Sequence, residues 1–263
     1  MDSLRILPLA NVHNFRDYGG YGVASGGRLR QGLLFRSGQH LEATEGDLDA
    51  IAALDLATVV DLRGDTERRL YPCRRPVGFA AEVVFAPGET TGSGNAPHLE
   101  AAAAVVTAAD ASRRMVESYK QMPFREPLVA SFRRYFASLA ERPGSSLVHC
   151  LAGKDRTGLA VALLHAVLGV HPDDIMSDYM LTNIAGNIDR RIEAGARIVR
   201  ANMGAALDDD AVRTVMSVDE AYLDSAFAAI RERYASIDAY TDTVCGVTPA
   251  VRAKLVAQFV GHQ

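Results

Sequence analysis

The chain has 263 residues, 48% of them hydrophobic, which is enough to enclose one large core, and no Pro/Ser/Gly-rich linker divides it. A formal net charge of -4 excludes a general attraction for nucleic acid or an anionic membrane, so any anion must be held locally. No uninterrupted apolar run reaches membrane-spanning length, and Met1 to Asp17 lacks a basic start followed by a long apolar stretch, so neither an anchor nor a signal peptide is expected.

In chain order, Leu33 to Arg36 predicts a strand, Thr44 caps a helix reaching Leu54, and Thr58 to Arg63 and Ala81 to Phe85 extend the sheet. Gly88 to Pro97 carries the turn chemistry of a surface loop and the alanine-rich run over 101–109 reads as helix, so about 88–122 is a candidate lid insertion. A helix is expected over Glu126–Glu141, a central strand over Ser146–His149 and a second helix over Thr157–Leu168. Beyond Val170 everything reads as helical: Pro172-Asp173-Asp174 opens one helix, Ser217 with Glu220 makes a capping box for another, and Thr248-Pro249 starts the last. The pattern predicts a single α/β domain over 1–263, a largely parallel central sheet flanked by helices with a helical C-terminal half.

The chemistry concentrates between the strand and the helix that meet at Cys150. A loop feeding a helix start turns unpaired N–H groups inward and favours a bound dianion. Leu151, Ala152, Gly153, Lys154 and Asp155 would wrap phosphoryl oxygens, and Arg156, six positions after the cysteine, would hold two of them in its planar fork. The same dipoles favour negative charge on the Cys150 sulfur and make it a nucleophile. A cysteine and an arginine at this spacing arise by chance in many chains. The apolar lead-in, Gly153, the Thr157-Gly158 opening and the apolar run Leu159 to Leu168 together raise the pair to a catalytic motif. The expected reaction is metal-independent hydrolysis of phosphomonoesters, with no cofactor. Cys73, Cys150 and Cys245 have no Cys or His at zinc-finger spacing, and three cysteines of which one is a thiolate suit a reducing compartment, the cytoplasm by default.

At these residues the chain resembles the bacterial tyrosine-phosphatase-like proteins and related phosphoinositide phosphatases. The resemblance continues through Asn14-Phe-Arg-Asp-Tyr-Gly-Gly20, Leu34-Phe-Arg-Ser37, Val59-Val-Asp-Leu-Arg63, Asp174-Ile-Met-Ser-Asp-Tyr179 with Asn183, and Glu220-Ala-Tyr-Leu223, and is weakest between Pro87 and Val116. It implies the cysteine-phosphatase (PTP-like) fold and use of phosphotyrosine, phosphoserine or phosphothreonine, and phosphoinositides. It also leaves leaderless secretion open. The partners implied are a phosphorylated protein or a phosphoinositide, without nucleic acid or membrane insertion.

A leaving alcohol or phenol needs a proton, so a carboxylic acid should sit over its oxygen. Asp155 is the nearest carboxyl and the resembling family carries an Asp there; the alternative role is to orient Arg156. The family also places a carboxylate after the strand before the lid, where this chain has Gly88, with Glu89 one position late. Lys154 is a second cation that would meet a neighbouring phosphate, or pair with a surface carboxylate. Thr157 could donate to the sulfur, His149 is expected to buttress the loop, and His165 to sit in the core. Asn14, Arg16, Asp17, Asp61 and Arg63 form a polar cluster expected to brace the cradle, with Arg16 and Arg63 as candidates for a second arginine near the pocket. A rhodanese-like sulfurtransferase and a non-catalytic phosphoprotein reader remain as other classes. The Asp155-Arg156-Thr157-Gly158 ending favours phosphate, and intact Cys150 and Arg156 argue against a reader.

Overall fold

The computed structural model describes residues 5–91, 107–185 and 209–261. Most of Gly88 to Pro97, and the alanine-rich run up to residue 106, therefore lie outside the described residues.

The strands are β1 (Arg16–Asp17), β2 (Arg28–Leu29), β3 (Leu34–Ser37), β4 (Leu56–Asp61), β5 (Glu82–Val84), β6 (Ser145–His149) and β7 (Val260–Gly261). Five of them form one sheet in the order β1-β3-β6-β4-β5. β3, β6, β4 and β5 run parallel and β1 closes one edge antiparallel. β6 is buried along its whole length, as the central strand of a parallel sheet must be when helices cover both faces.

Alternation along the strands divides the core in two. Leu34, Val60 and Val148 join one apolar cluster, while Phe35, Val59 and Leu147 join another on the opposite face. The smaller cluster lies under α1 (Glu45–Ala52). Thr44 and Asp47 cap that helix reciprocally, and Asp47 also accepts the amides of Ala10 and Asn11, which ties down the N-terminal segment.

The larger cluster is built by the later helices. After α2 (Asp65–Leu70) come α3 (Ala108–Gln121), α4 (Glu126–Glu141) and α5 (Asp155–Leu168). α4 buries Leu128, Phe132, Tyr135, Phe136 and Leu139 at helical spacing, whereas α5 is buried almost all round and forms the axis of the molecule. Around it lie α6 (Pro172–Met180), α7 (Thr182–Ala185), α8 (Asp209–Met216), α9 (Glu220–Tyr234), α10 (Ile237–Thr243) and α11 (Pro249–Phe259).

Three sequence expectations change. The C-terminal half ends in β7, which pairs antiparallel with β2, so it is not wholly helical. Ser217 does not cap α9: its hydroxyl donates back to Thr214 O at the end of α8, and Asp219 is the N-cap. α5 begins at Asp155, two residues before Thr157, which places Arg156 inside its first turn.

Candidate active site

The parallel sheet brings three strand ends together, because Ser37 and Asp61 both stand in register with His149. The chain leaving β6 at Cys150 is thus flanked by Gly38 on one side and Leu62 on the other. Segments leaving the carboxyl ends of parallel strands are where such sheets bind ligands.

The loop after Cys150 is held from outside. Gln39 N donates to Leu151 O at 3.0 Å, while Arg36 Nη2 at 3.2 Å and Asn14 Nδ2 donate to Gly153 O. The described peptides are all trans, so the N–H groups of Ala152 and Lys154 point to the opposite side from these carbonyls. The loop thereby presents amides to its inner side, ahead of a helix start. Gly153 has φ +65°, and a Cβ there would meet Ser37 C and O at 2.4 Å, so only glycine lets the loop lie on the end of β3.

A buried ionic group braces this arrangement. Asp178 accepts Arg36 Nη1 at 2.8 Å and Arg16 Nε at 3.5 Å, and Arg16 also donates to Asp178 O, Thr182 Oγ1 and Asn14 Oδ1. Burial, and then the charge of Arg36, pull the Arg16 guanidinium down to about 10. Burial works against the Asp178 carboxylate, but Arg16 and Arg36 outweigh it and hold it at about 2. Arg16 is fully buried and belongs to this brace. No local signal marks Arg36 or Asp178, 142 positions apart, because only the fold brings them together.

Arg156 crosses from α5 to the loop after β4. Its Nη2 donates to Glu67 Oε1 at 2.7 Å, and its Nη1 donates to Glu67 Oε2 and to Thr90 Oγ1 at 2.8 Å. Thr90 in turn donates to Leu62 O at 3.0 Å. Burial disfavours the guanidinium charge, yet Glu67 first, then Cys150 and Asp155, raise its pKa above the ordinary value. Glu67 takes the end of the fork; the side edge bearing Nε–H remains, and Nε has no acceptor among the described residues. Sequence reasoning missed Glu67, whose only signal was its position three residues into a helix start, where it accepts Gly64 N.

Other expected residues fall as follows. Cys150 is 2% exposed and directly follows β6, while Leu151 and Ala152 form the more open lip. Asp155 is buried in the first turn of α5, where its Oδ1 accepts Tyr119 Oη–H at 2.9 Å and lies 3.2 Å from Lys154 Nζ. The Lys154 ammonium does not take the expected place beside a neighbouring phosphate or against a surface carboxylate: it is fully buried and donates to Val215 O at 2.6 Å and Ser217 O at 3.0 Å, which ties α8 to the loop. The Thr157 hydroxyl makes no hydrogen bond among the described residues, so the expected one to the sulfur is not formed. Arg63 is spent on Asp61, with bonds of 2.7 to 3.1 Å, and on Tyr71 O. His149 stacks on His40 with ring centroids 5.5 Å apart, and burial holds its imidazole down at about 4 although Asp61 opposes this. His165 is a core residue, fully buried against Tyr18 O. Glu89 accepts Thr66 N at 3.0 Å at the start of α2. Asp17 accepts the amides of Gly19, in the turn after β1, and of Gly32, just before β3.

Inward-facing amides and one clamped guanidinium at the carboxyl ends of a parallel sheet make an arrangement that can receive an anion. The sequence model of the tyrosine phosphatase family matches residues 7–261. A Cupriavidus necator protein named for tyrosine-protein phosphatase activity is 35% identical over 97% of this chain and 87% of its own length. Triple specificity protein phosphatase PtpB of Mycobacterium tuberculosis is 30% identical over 90% of this chain and 93% of its own. The chain belongs to the tyrosine phosphatase family and is a phosphatase. Among the described residues no helix is long and apolar enough to cross a membrane.

Proposed function

We propose that this phosphatase hydrolyses phosphomonoesters through a cysteinyl-phosphate intermediate, as one catalytic domain acting mainly on phosphotyrosine in proteins. Cys150 Sγ, as thiolate, attacks phosphorus in line; the P–O bond to the leaving group breaks and that oxygen takes a proton from Asp155. Water, giving its proton back to Asp155, then attacks phosphorus and the P–S bond breaks, releasing inorganic phosphate and the thiolate. Amides of the loop and the side edge of Arg156 hold the equatorial oxygens throughout, where charge builds.

The observation that carries this reading is the Arg156 guanidinium. It is clamped end-on by Glu67, and its buried Nε–H has no acceptor among the described residues, which leaves a donor on the edge a phosphoryl group would use. The name of the Mycobacterium relative speaks of triple specificity. It supports extending the reading to phosphoserine, phosphothreonine and phosphoinositide substrates.

Cys150→Ser is expected to abolish hydrolysis while phosphopeptide binding survives, and the wild-type activity to withstand chelators and fall to vanadate. Rates should be compared across phosphotyrosine peptides, phosphoserine peptides and each phosphoinositide isomer, with the serine variant as blank. Full turnover by that variant contradicts the mechanism. Thiosulfate-dependent sulfur transfer without phosphatase activity would select the sulfurtransferase, and binding without turnover the reader.

A further inference from the structure

A row of buried oxygen atoms ends on the candidate acid. Tyr179, in the last turn of α6, donates its hydroxyl to Tyr119 Oη at 2.8 Å, and Tyr119, in the last turn of α3, donates to Asp155 Oδ1 at 2.9 Å. Both tyrosines are buried to 1% exposure or less. Each hydroxyl has a single proton, so an ionised carboxylate, which only accepts, sets the direction of the whole row. The path of Tyr179 is cut into α5 itself. A Cβ at Gly158, one turn beyond Asp155, would come within 2.9 Å of the Tyr179 ring, so the helix that carries the acid is notched to admit the residue that starts the row.

We propose that Tyr119 and Tyr179 are positioning residues that set the proton affinity of Asp155, an inference that rests on Asp155 being the general acid. The groups facing this carboxyl come from several elements. Among the described residues Lys154 and Arg156 flank it on its own segment, Tyr119 reaches it from α3, Tyr179 stands behind from α6, and Tyr222 faces it from α9. Burial, and then the charge of Asp155, push both Tyr119 and Tyr179 well above the ordinary phenol range, so they remain neutral donors at every working pH.

A donor to a carboxylate favours the ionised form, and a second hydroxyl donating to the first polarises it and strengthens the effect. Burial pulls the other way and would keep the proton on the acid. The row acts together with the Lys154 ammonium, 3.2 Å from the same oxygen, to favour release of the Asp155 proton to the leaving oxygen, after which Asp155 serves as base to water in the second transfer.

The test is the pH dependence of kcat/KM with an aryl phosphate for the wild type, Tyr119→Phe, Tyr179→Phe and Asp155→Asn. Asp155→Asn should remove the alkaline limb. Tyr119→Phe should move that limb to higher pH by roughly half to one unit, the worth of one hydrogen bond, and Tyr179→Phe should move it the same way by less. Circular dichroism and the unfolding midpoint check that each variant is folded; if Tyr119→Phe is not, Tyr179→Phe carries the test, because its hydroxyl does not touch Asp155. A limb at its wild-type position in the folded tyrosine variants, but absent in Asp155→Asn, overturns the tyrosine row alone. A limb that persists in Asp155→Asn shows that Asp155 is not the acid and overturns the row with it.

Discussion

Replacing Glu67 by Gln keeps the side chain's shape and removes the charge that faces Arg156. Both partners are nearly sealed from water, at 3% and 1% exposure, and the carboxylate receives both terminal nitrogens of the fork. An amide oxygen can accept one of those donors, while its own NH2 group opposes the other, so a charge-assisted hydrogen bond worth about 1.5–3 kcal/mol is lost. Removing one partner of a buried ion pair costs about 3–5 kcal/mol for the same reason seen from the charge left behind. The two figures describe one loss, and we expect Glu67→Gln to lower stability by about 3 kcal/mol. If the guanidinium also leaves its place, a transition state short of that much stabilisation reacts about a hundredfold more slowly. The chain has no tryptophan, so urea unfolding is best followed by far-ultraviolet circular dichroism, alongside kcat/KM. Saturating phosphate or vanadate supplies negative charge to Arg156 and should stabilise the variant more than the wild type. Stability within about 0.5 kcal/mol of wild type, the range of an ordinary surface substitution, with kcat/KM preserved, would refute the clamp.

Three further measurements probe the brace, the buried histidines and the loop. Asp178 is held at about 2 against an ordinary 3.8, so its contribution is complete above about pH 4 and drains away as pH falls through 2; Asp178→Asn should cost about 2 kcal/mol at neutral pH and flatten the stability curve in that acid window. Above it lies a separate window, because His149 is held at about 4 against 6.5 and the unfolded chain binds a proton that the fold refuses; urea midpoints should fall from pH 6.5 toward 4, with His40 and His165, also lowered by burial, adding to the slope. Gly153→Ala would set a Cβ 2.4 Å from the main chain of Ser37 at a positive φ, with no flexible side chain to yield. Its expected result is loss of the thermal stabilisation that phosphate gives the wild type, and wild-type phosphate binding would contradict the packing argument.

Much of the sheet was legible because its signals are local. The run at Ser145–His149 is buried on both faces, and Thr44 with Asp47 caps α1 through bonds made within one turn. Where two local signals competed, only packing chose: Ser217 precedes Glu220 by the spacing of a capping box, yet it lies at the end of α8 with its carbonyl on Lys154, and Asp219 takes the cap. Lys154 was misread for a related cause. A lysine in a glycine-containing loop looks exposed, and its burial depends on carbonyls more than 60 residues later in the chain.

Taken alone, the order of residues from His149 to Gly158 determined that a strand, a tight loop and a helix start would follow one another at Cys150 with Arg156 where the helix begins, because the signals for each are local. It could not say what stands opposite each charge. Glu67 reaches Arg156 across 89 positions, Asp178 reaches Arg36 across 142, and Tyr119 reaches Asp155 across 36. Such pairings follow from the strand order, which lays Ser37, His149 and Asp61 side by side, and from helices packed over them; in an unfolded chain each of these groups would bond to water.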